Sequence, residues 1–194
     1  MLGNGLFATS HFADALSVQE AELCMKRRLG APECKILIVQ CNLATTYHKL
    51  GRREKALQML RDAYFGFLKL HGEEHARTIL AANNLAGNLV RLEHYEEART
   101  LMRKTIPVAR RVLGEGHDTT LRMRLNYGMA LYKDDAATLD DLREAVTTFE
   151  DTERTARRVF GGAHPLTEGT AGELQKARAA LRAREETQPS PGSG

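Results

Sequence analysis

The sequence predicts an all-α fold in which helix hairpins stack into an α-solenoid, and two observations carry this prediction. The first is a periodic glycine: Gly30, Gly72 and Gly114 lie 42 residues apart, and Gly161 follows 47 residues later. The second is that apolar residues between these glycines recur at spacings of three and four, the period of an amphipathic helix. Strand signals are scarce, because β-branched residues rarely alternate with polar ones over more than a few positions.

Four rows of equivalent positions keep this step and are apolar or small in every unit. One hairpin cannot bury its apolar face alone, so such units must stack, and small residues let the paired helices approach closely. The regular step argues against the alternative of unrelated helix pairs in a globular bundle. The later rows need a shift of five residues in the third unit, which predicts an insertion within 133–141. The rows are Leu43/Leu85/Tyr127, Ala44/Ala86/Gly128, Ala56/Ala98/Ala145 and Leu60/Met102/Phe149.

The glycines also set the predicted domain organisation. A half repeat comes first, three full units follow, a capping helix closes the array, and the Pro/Ser/Gly-rich C-terminal tail is predicted to be disordered. The half repeat occupies 1–29 and the array 30–186, with units 30–71, 72–113 and 114–160, the capping helix 161–186 and the tail 187–194.

Composition excludes several classes of function. The chain carries 28 basic and 25 acidic side chains, a balance that gives no argument for nucleic-acid binding. Cys24, Cys34 and Cys41 form no CxxC pair, which predicts reduced thiols in the cytoplasm with no disulfide and no zinc site. No apolar stretch approaches the length of a membrane span, and the N-terminus has no signal-peptide pattern.

The sequence contains no motif for catalysis or for a cofactor. No glycine-rich phosphate loop follows a strand, and GxSxG, HExxH and EF-hand patterns are absent. His75, His117 and His164 each stand three residues after a periodic glycine, so they follow the repeat and do not converge as metal ligands would. We therefore predict no enzymatic activity, no cofactor and no metal, and interpret these histidines as structural residues of the turn between units.

Three recurring segments resemble the tetratricopeptide repeat of the kinesin light chain type, whose units have 42 residues. The join between units reads "GEEHA", "GEGHD" and "GGAHP", the core "CNLATTY", "NNLAGNL" and "LNYGMAL", and the turn "GRREKAL", "EHYEEAR" and "DDLREAV". The resemblance implies a right-handed solenoid whose first helices line a concave groove, and a role in protein–protein interaction. Three residues depart from the pattern: Glu33 stands in place of the join histidine, Glu173 in place of the core asparagine, and Pro107 lies inside a second helix, which it should kink.

Asn42, Asn84 and Asn126 share one repeat position on the first helices. A side-chain amide offers donors and an acceptor, so it can pair with the backbone of an extended peptide of any sequence. In members of the resembled family that bind peptides, asparagines at this position have this role, and the resemblance implies it here. The alternative is that these amides bond only to neighbours within the array.

The same helix face predicts the rest of the groove. Apolar side chains would contact the partner, with Asn83 beside the asparagine row, and a basic rim would favour a protein or peptide with acidic residues beside apolar anchors. The basic residues also suit helix C-termini, where they would complement the helix dipole instead. A regulatory or sensor repeat domain of a larger assembly and an RNA-binding helical repeat are the alternative functions. The apolar set is Ile38, Leu80, Leu125 and Met129, and the basic set is Lys49, Arg91, Arg122 and Lys133.

Overall fold

The computed structural model describes residues 3–187, with side chains from residue 11 onward. Over this range the chain forms eight α-helices and no strand, which confirms the predicted all-α class. The predicted disordered tail lies outside the described residues, apart from Thr187, which is the last residue of the final helix. The helices are α1 (Gly3–Arg28), α2 (Glu33–Lys49), α3 (Arg53–His71), α4 (Ala76–Arg91), α5 (Tyr95–Leu113), α6 (Asp118–Tyr132), α7 (Leu139–Phe160) and α8 (Pro165–Thr187).

The described residues form two compact units, one ending at Asn88 and the other beginning at Leu89. Unit 1 contains α1, the α2–α3 hairpin and most of α4. Within it, α1 packs on α2, where Thr46 donates a hydrogen bond to Gln19 at 2.8 Å. Unit 2 contains α5 to α8, in which α6 packs against α5, α7 and α8.

The apolar rows predicted from the repeat are all buried, which shows that the repeat encodes the hairpin cores. The small residues matter most where α6 crosses α7. A Cβ atom added to Gly128 would lie 2.6 Å from the ring of Phe149, so no larger residue fits there without moving the ring. The two helices therefore meet at a distance that glycine sets.

The joins between consecutive repeats combine a glycine with a histidine cap. Gly72, Gly114 and Gly161 end α3, α5 and α7 with φ between +79° and +98°, a region that favours glycine. Three residues later, the Nδ1 atom of each join histidine accepts a hydrogen bond from a free backbone N–H of the next helix, at 3.2 Å in all cases. The histidines thus cap α4, α6 and α8, as a structural role predicts. They are His75, His117 and His164, and the donors are Arg77, Thr119 and Leu166.

A threonine three residues after each histidine also belongs to the join, although the sequence reading missed it. Thr78, Thr120 and Thr167 are buried. The hydroxyl of Thr167 donates to the carbonyl of Gly161 at 2.9 Å, and that of Thr120 to the carbonyl of Ala109 at 3.5 Å. These bonds tie the start of a first helix to the end of the preceding second helix.

The insertion in the third repeat lengthens the turn between α6 and α7 and also lengthens α7. Six residues, 133–138, separate α6 from α7, whereas three separate α2 from α3 and α4 from α5. Thr138 and Asp141 form a capping box at the start of α7. Arg99 of α5 lies 3.1 Å from the Asp134 carboxylate and 3.4 Å from that of Asp141, so it holds both ends of the turn.

We expect His117→Ala to lower the free energy of unfolding by about 1 kcal/mol, because the variant leaves an N–H of α6 without its cap. His117→Asn should restore most of the loss, since an asparagine side chain accepts the same bond. Urea unfolding followed by circular dichroism measures both variants. Equal stability of the wild type and the alanine variant would show that the Nδ1 contact contributes nothing.

The capping carboxylate gives a prediction about acid stability. Burial would raise the pKa of Asp141, but hydrogen bonds from the Thr138 hydroxyl and backbone and the charge of Arg99 outweigh it and hold the pKa below its ordinary value of 3.8. A depressed native pKa gives stability that is complete above the unfolded-state pKa and is lost as the pH falls through the native one. Asp141→Asn should therefore be less stable at neutral pH, and its deficit should shrink below pH 3.8. Denaturant titrations at several pH values would measure it; a constant deficit would contradict this account.

Candidate peptide-binding surface

A surface on the first helices of unit 1 carries four of the predicted site residues. The guanidinium of Arg77 donates a hydrogen bond to the Sγ atom of Cys34 at 2.7 Å, which joins the first turns of α2 and α4. Ile38 and Leu80 lie one turn further along their helices, and Asn42 and Asn84 one turn beyond them. We call Ile38, Asn42, Leu80 and Asn84 the unit 1 surface.

The apolar members of the unit 1 surface are exposed. Leu80 is 48% accessible and Ile38 37%, although most large apolar side chains of the described chain are buried or half-buried. Asn42 is exposed and Asn84 half-buried. Exposed apolar side chains next to amides are the composition of a peptide-binding groove, in which apolar contacts are supplemented by a few placed polar groups.

The structure does not place two predicted site residues on a free surface. Asn83 is only 8% accessible, and Leu125 packs against the buried cluster of Leu121, Ala156 and Leu166. Both precede a core asparagine by one residue, which turns them about 100° around the helix toward its neighbours. The burial of Asn83 argues against a place in the groove, whereas Leu125 is half-buried and its place in the groove stays a prediction.

The charges on α6 are already paired within the chain. Nε of Arg122 lies 2.7 Å from the Asp118 carboxylate, and Nζ of Lys133 lies 3.4 Å from that of Glu173. Lys49 and Arg91, the other two basic residues predicted to favour an acidic partner, are exposed. The predicted basic rim is thus partly neutralised on α6.

Asn126 and Met129 are the remaining two residues of the predicted site and belong to unit 2. Both lie on α6 and are half-buried. Asn126 makes contacts inside the chain, so the alternative of an amide that supports the array applies to it directly.

Glu173 on α8 stands at the repeat position of the asparagines and binds residues of α6. Its carboxylate accepts a hydrogen bond from the Tyr132 hydroxyl at 2.5 Å and lies 2.7 Å from the Lys176 ammonium. Burial would raise its pKa, but these bonds and the charge of Lys133 hold the pKa below its ordinary value. Burial and the bond to Glu173 raise the pKa of Tyr132 far above its usual value. At this position the chain thus replaces the amide with a carboxylate that its own residues satisfy.

The thiols and carboxylates show no arrangement for chemistry. Cys24, Cys34 and Cys41 are free, and burial raises the pKa of the Cys41 thiol to about 11, which keeps it protonated at neutral pH. Among the described residues, no cluster of three or more His, Cys, Asp or Glu side chains could hold a metal ion. Between residues 3 and 187, no helix combines the length and apolarity that a membrane crossing requires.

The sequence profile of the tetratricopeptide repeat matches residues 35–110 and 77–137, which together make up more than half of the chain. The chain belongs to the tetratricopeptide repeat family. Solved structures agree with the kinesin light chain type of this repeat. BtubC (BKLC) of P. vanneervenii is 20% identical with a TM-score of 0.69, over 95% of this chain and 78% of that one. A Podosopora anserina kinesin light chain with nearly identical TPR-like repeats is 19% identical with a TM-score of 0.73, over 94% and 85%.

The curated relatives that this chain matches are much longer proteins. The clustered mitochondria protein homologues of Aspergillus fumigatus and Ajellomyces capsulatus are 23% and 24% identical to this chain over 133 residues, or 68% of it. The aligned part is 10% of the first relative and 11% of the second. The tetratricopeptide repeat chain thus spans about a tenth of the length of the curated relatives it matches.

We expect Glu173→Gln to lower the pKa of Tyr132, because the variant removes the negative charge that opposes phenolate formation. Phenolate absorbance measured against pH should show one tyrosine titrating earlier in this variant. Tyr132→Phe is the control, since it removes that transition altogether. A titration curve identical to that of the wild type would show that the Tyr132–Glu173 hydrogen bond does not form.

Proposed function

We propose that this tetratricopeptide repeat protein is a protein-interaction module that binds an extended peptide on the unit 1 surface. Asn42 and Asn84 would pair with the peptide backbone, and Ile38 and Leu80 would contact its apolar side chains. The observation that carries the proposal is the exposure of these two apolar residues beside the two asparagines.

The chemistry of an extended peptide fits this surface. Its side chains alternate between two faces, so one face presents apolar groups at every second residue. Its backbone has no internal hydrogen bonds, and a side-chain amide supplies both a donor and an acceptor. The apolar contacts would give most of the affinity, and the amides would fix the extended conformation.

The charge of the partner is a finer proposal. Lys49 is exposed at the end of α2 and would favour acidic residues in the peptide, and the exposed Arg91, which belongs to unit 2, would favour them in a peptide on that unit. Arg122 and Lys133 would contribute only if the peptide displaced Asp118 and Glu173. On α6, Asn126 stands at the repeat position of Asn42 and Asn84 and would have the same role, whereas Met129 lies three residues after it and would contact an apolar side chain of the peptide.

The length of the relatives favours a second candidate, a repeat domain that serves a larger assembly. In the clustered mitochondria homologues, the aligned segment is a small part of a long protein. Either way the proposed role is non-enzymatic binding without a cofactor, in the cytoplasm, with a protein and not RNA as partner. The chain carries 28 basic against 25 acidic side chains, which is far from the strong positive charge on which RNA binding depends.

A peptide-display screen on the whole chain tests the proposal. We expect it to enrich extended sequences with alternating apolar residues, and Asn84→Ala should bind the enriched peptide roughly 5- to 20-fold more weakly, the loss of one to two net hydrogen bonds. Leu80→Ser should weaken it by a similar factor through lost apolar contact. Fluorescence anisotropy with the labelled peptide measures both.

Two exposed residues of α3 in the same unit serve as matched controls. Gln58→Ala removes an exposed amide and Leu70→Ser a partly exposed leucine. Both should leave peptide affinity unchanged, and circular dichroism should show all four variants folded. Equal affinity of Asn84→Ala, Leu80→Ser and the wild type for every enriched peptide would refute binding at the unit 1 surface.

A further inference from the structure

Unit 2 contains a cleft of about 450 Å³ between α5 and α7, with α6 at its base. Arg124 and Tyr127 of α6 line it. At 100° per residue, Asn126 points about 200° away from Arg124, so this cleft and the predicted peptide-binding residues use opposite faces of α6. The cleft is therefore a separate feature of the molecule.

The side chains that line the cleft are unusually basic. Four arginines are accompanied by two carboxylates, those of Glu115 and Asp151. Two threonines and the Tyr127 hydroxyl add neutral hydrogen-bonding groups. Because the net charge of the lining is positive, an anion is attracted into the cleft. The arginines are Arg103, Arg110, Arg124 and Arg154, and the threonines are Thr148 and Thr155.

Arg124 is the most buried charged residue of the cleft, and its ion pairs with the two carboxylates are long. Its side chain is only 15% accessible, and its guanidinium lies 3.7 Å from Glu115 and 3.7 Å from Asp151. Both separations exceed hydrogen-bond distance, so the two carboxylates balance the charge without engaging the N–H groups. Burial lowers the pKa of Arg124, which reflects the cost of desolvating it. A buried guanidinium gains most from a ligand that accepts its hydrogen bonds.

Two other arginines can turn toward the same ligand. Arg154 is 76% accessible, and its guanidinium lies 3.4 Å from the carboxylate of Asp151, one helical turn earlier on α7. Arg110 is exposed and is paired with Glu115. Exposed ion pairs of this kind contribute between zero and about 1 kcal/mol, so exchanging them for an incoming dianion costs little.

We propose that this cleft binds a phosphate-type oxyanion, with Arg124 at its base and Arg110 and Arg154 closing over it. Guanidinium groups match the oxygens of such an anion with two parallel hydrogen bonds, and three of them supply more positive charge than the two carboxylates remove. The anion would be free in solution or carried by a phosphorylated side chain, and the chemistry of the site is the same for both. The proposal is independent of peptide binding by the unit 1 surface.

Isothermal titration calorimetry on the whole chain tests the cleft, with inorganic phosphate and N-acetyl-phosphoserine amide as probes at constant ionic strength. We expect saturable binding with one site per chain. Arg154→Gln should weaken it about tenfold, the loss of one charge-assisted contact, and Arg124→Gln should abolish it. Tighter binding of the phosphoserine probe would identify a phosphorylated side chain as the ligand, and tighter binding of phosphate would identify the free ion.

Arg182→Gln is the matched control, because Arg182 is an exposed arginine of α8 outside the cleft. It changes the net charge by the same amount and should leave binding unchanged. Arg154 is exposed, so its variant keeps the test valid even where Arg124→Gln alters folding. No saturable binding of either probe, or equal weakening by Arg154→Gln and Arg182→Gln, would overturn the proposal.

Discussion

The joins between helix hairpins fix the points at which α4, α6 and α8 begin. Each of these three joins combines a glycine with positive φ, a histidine that caps the next helix through Nδ1, and a threonine buried beneath it. The histidines satisfy backbone N–H groups that a helix start leaves without partners, and the hydroxyls of Thr120 and Thr167 bind carbonyls at the end of the preceding helix. The starts of α4, α6 and α8 are therefore fixed by the same three residue types.

Where the join or the turn departs from the pattern, other contacts take over the same task. α2 begins after Pro32, without a side-chain cap, and its position is instead supported by Arg77, which reaches Cys34. In the third repeat the longer turn between α6 and α7 would leave α7 poorly anchored. Thr138 caps this helix, and Arg99 binds the carboxylates at both ends of the insertion. The fold thus tolerates variation where a charged side chain can bridge the altered segment.

Periodicity predicted the parts of this structure that local packing determines. The buried rows and the glycine positions follow from residues close together in one hairpin, so a single sequence shows them. The exposure of the site residues was harder to predict, because it depends on how helices of different repeats pack together. Asn83 differs from Asn84 by one residue and is buried, and Lys133 meets Glu173 forty positions away. The arginine cleft was not predicted from the sequence, because its arginines come from three helices and do not recur at one repeat position.

The two faces of α6 carry different kinds of side chain. Arg124 and Tyr127 turn toward the second helices, where long charged side chains leave a cleft between α5 and α7. Asn126 and Met129 turn the other way, and the charged residues beside them are neutralised by Asp118 and Glu173. An amide surface with balanced charge suits a backbone, which is polar but uncharged, whereas a cleft with surplus guanidinium suits an anion. Since opposite sides of a helix hardly share side-chain contacts, a ligand on one face need not disturb the other.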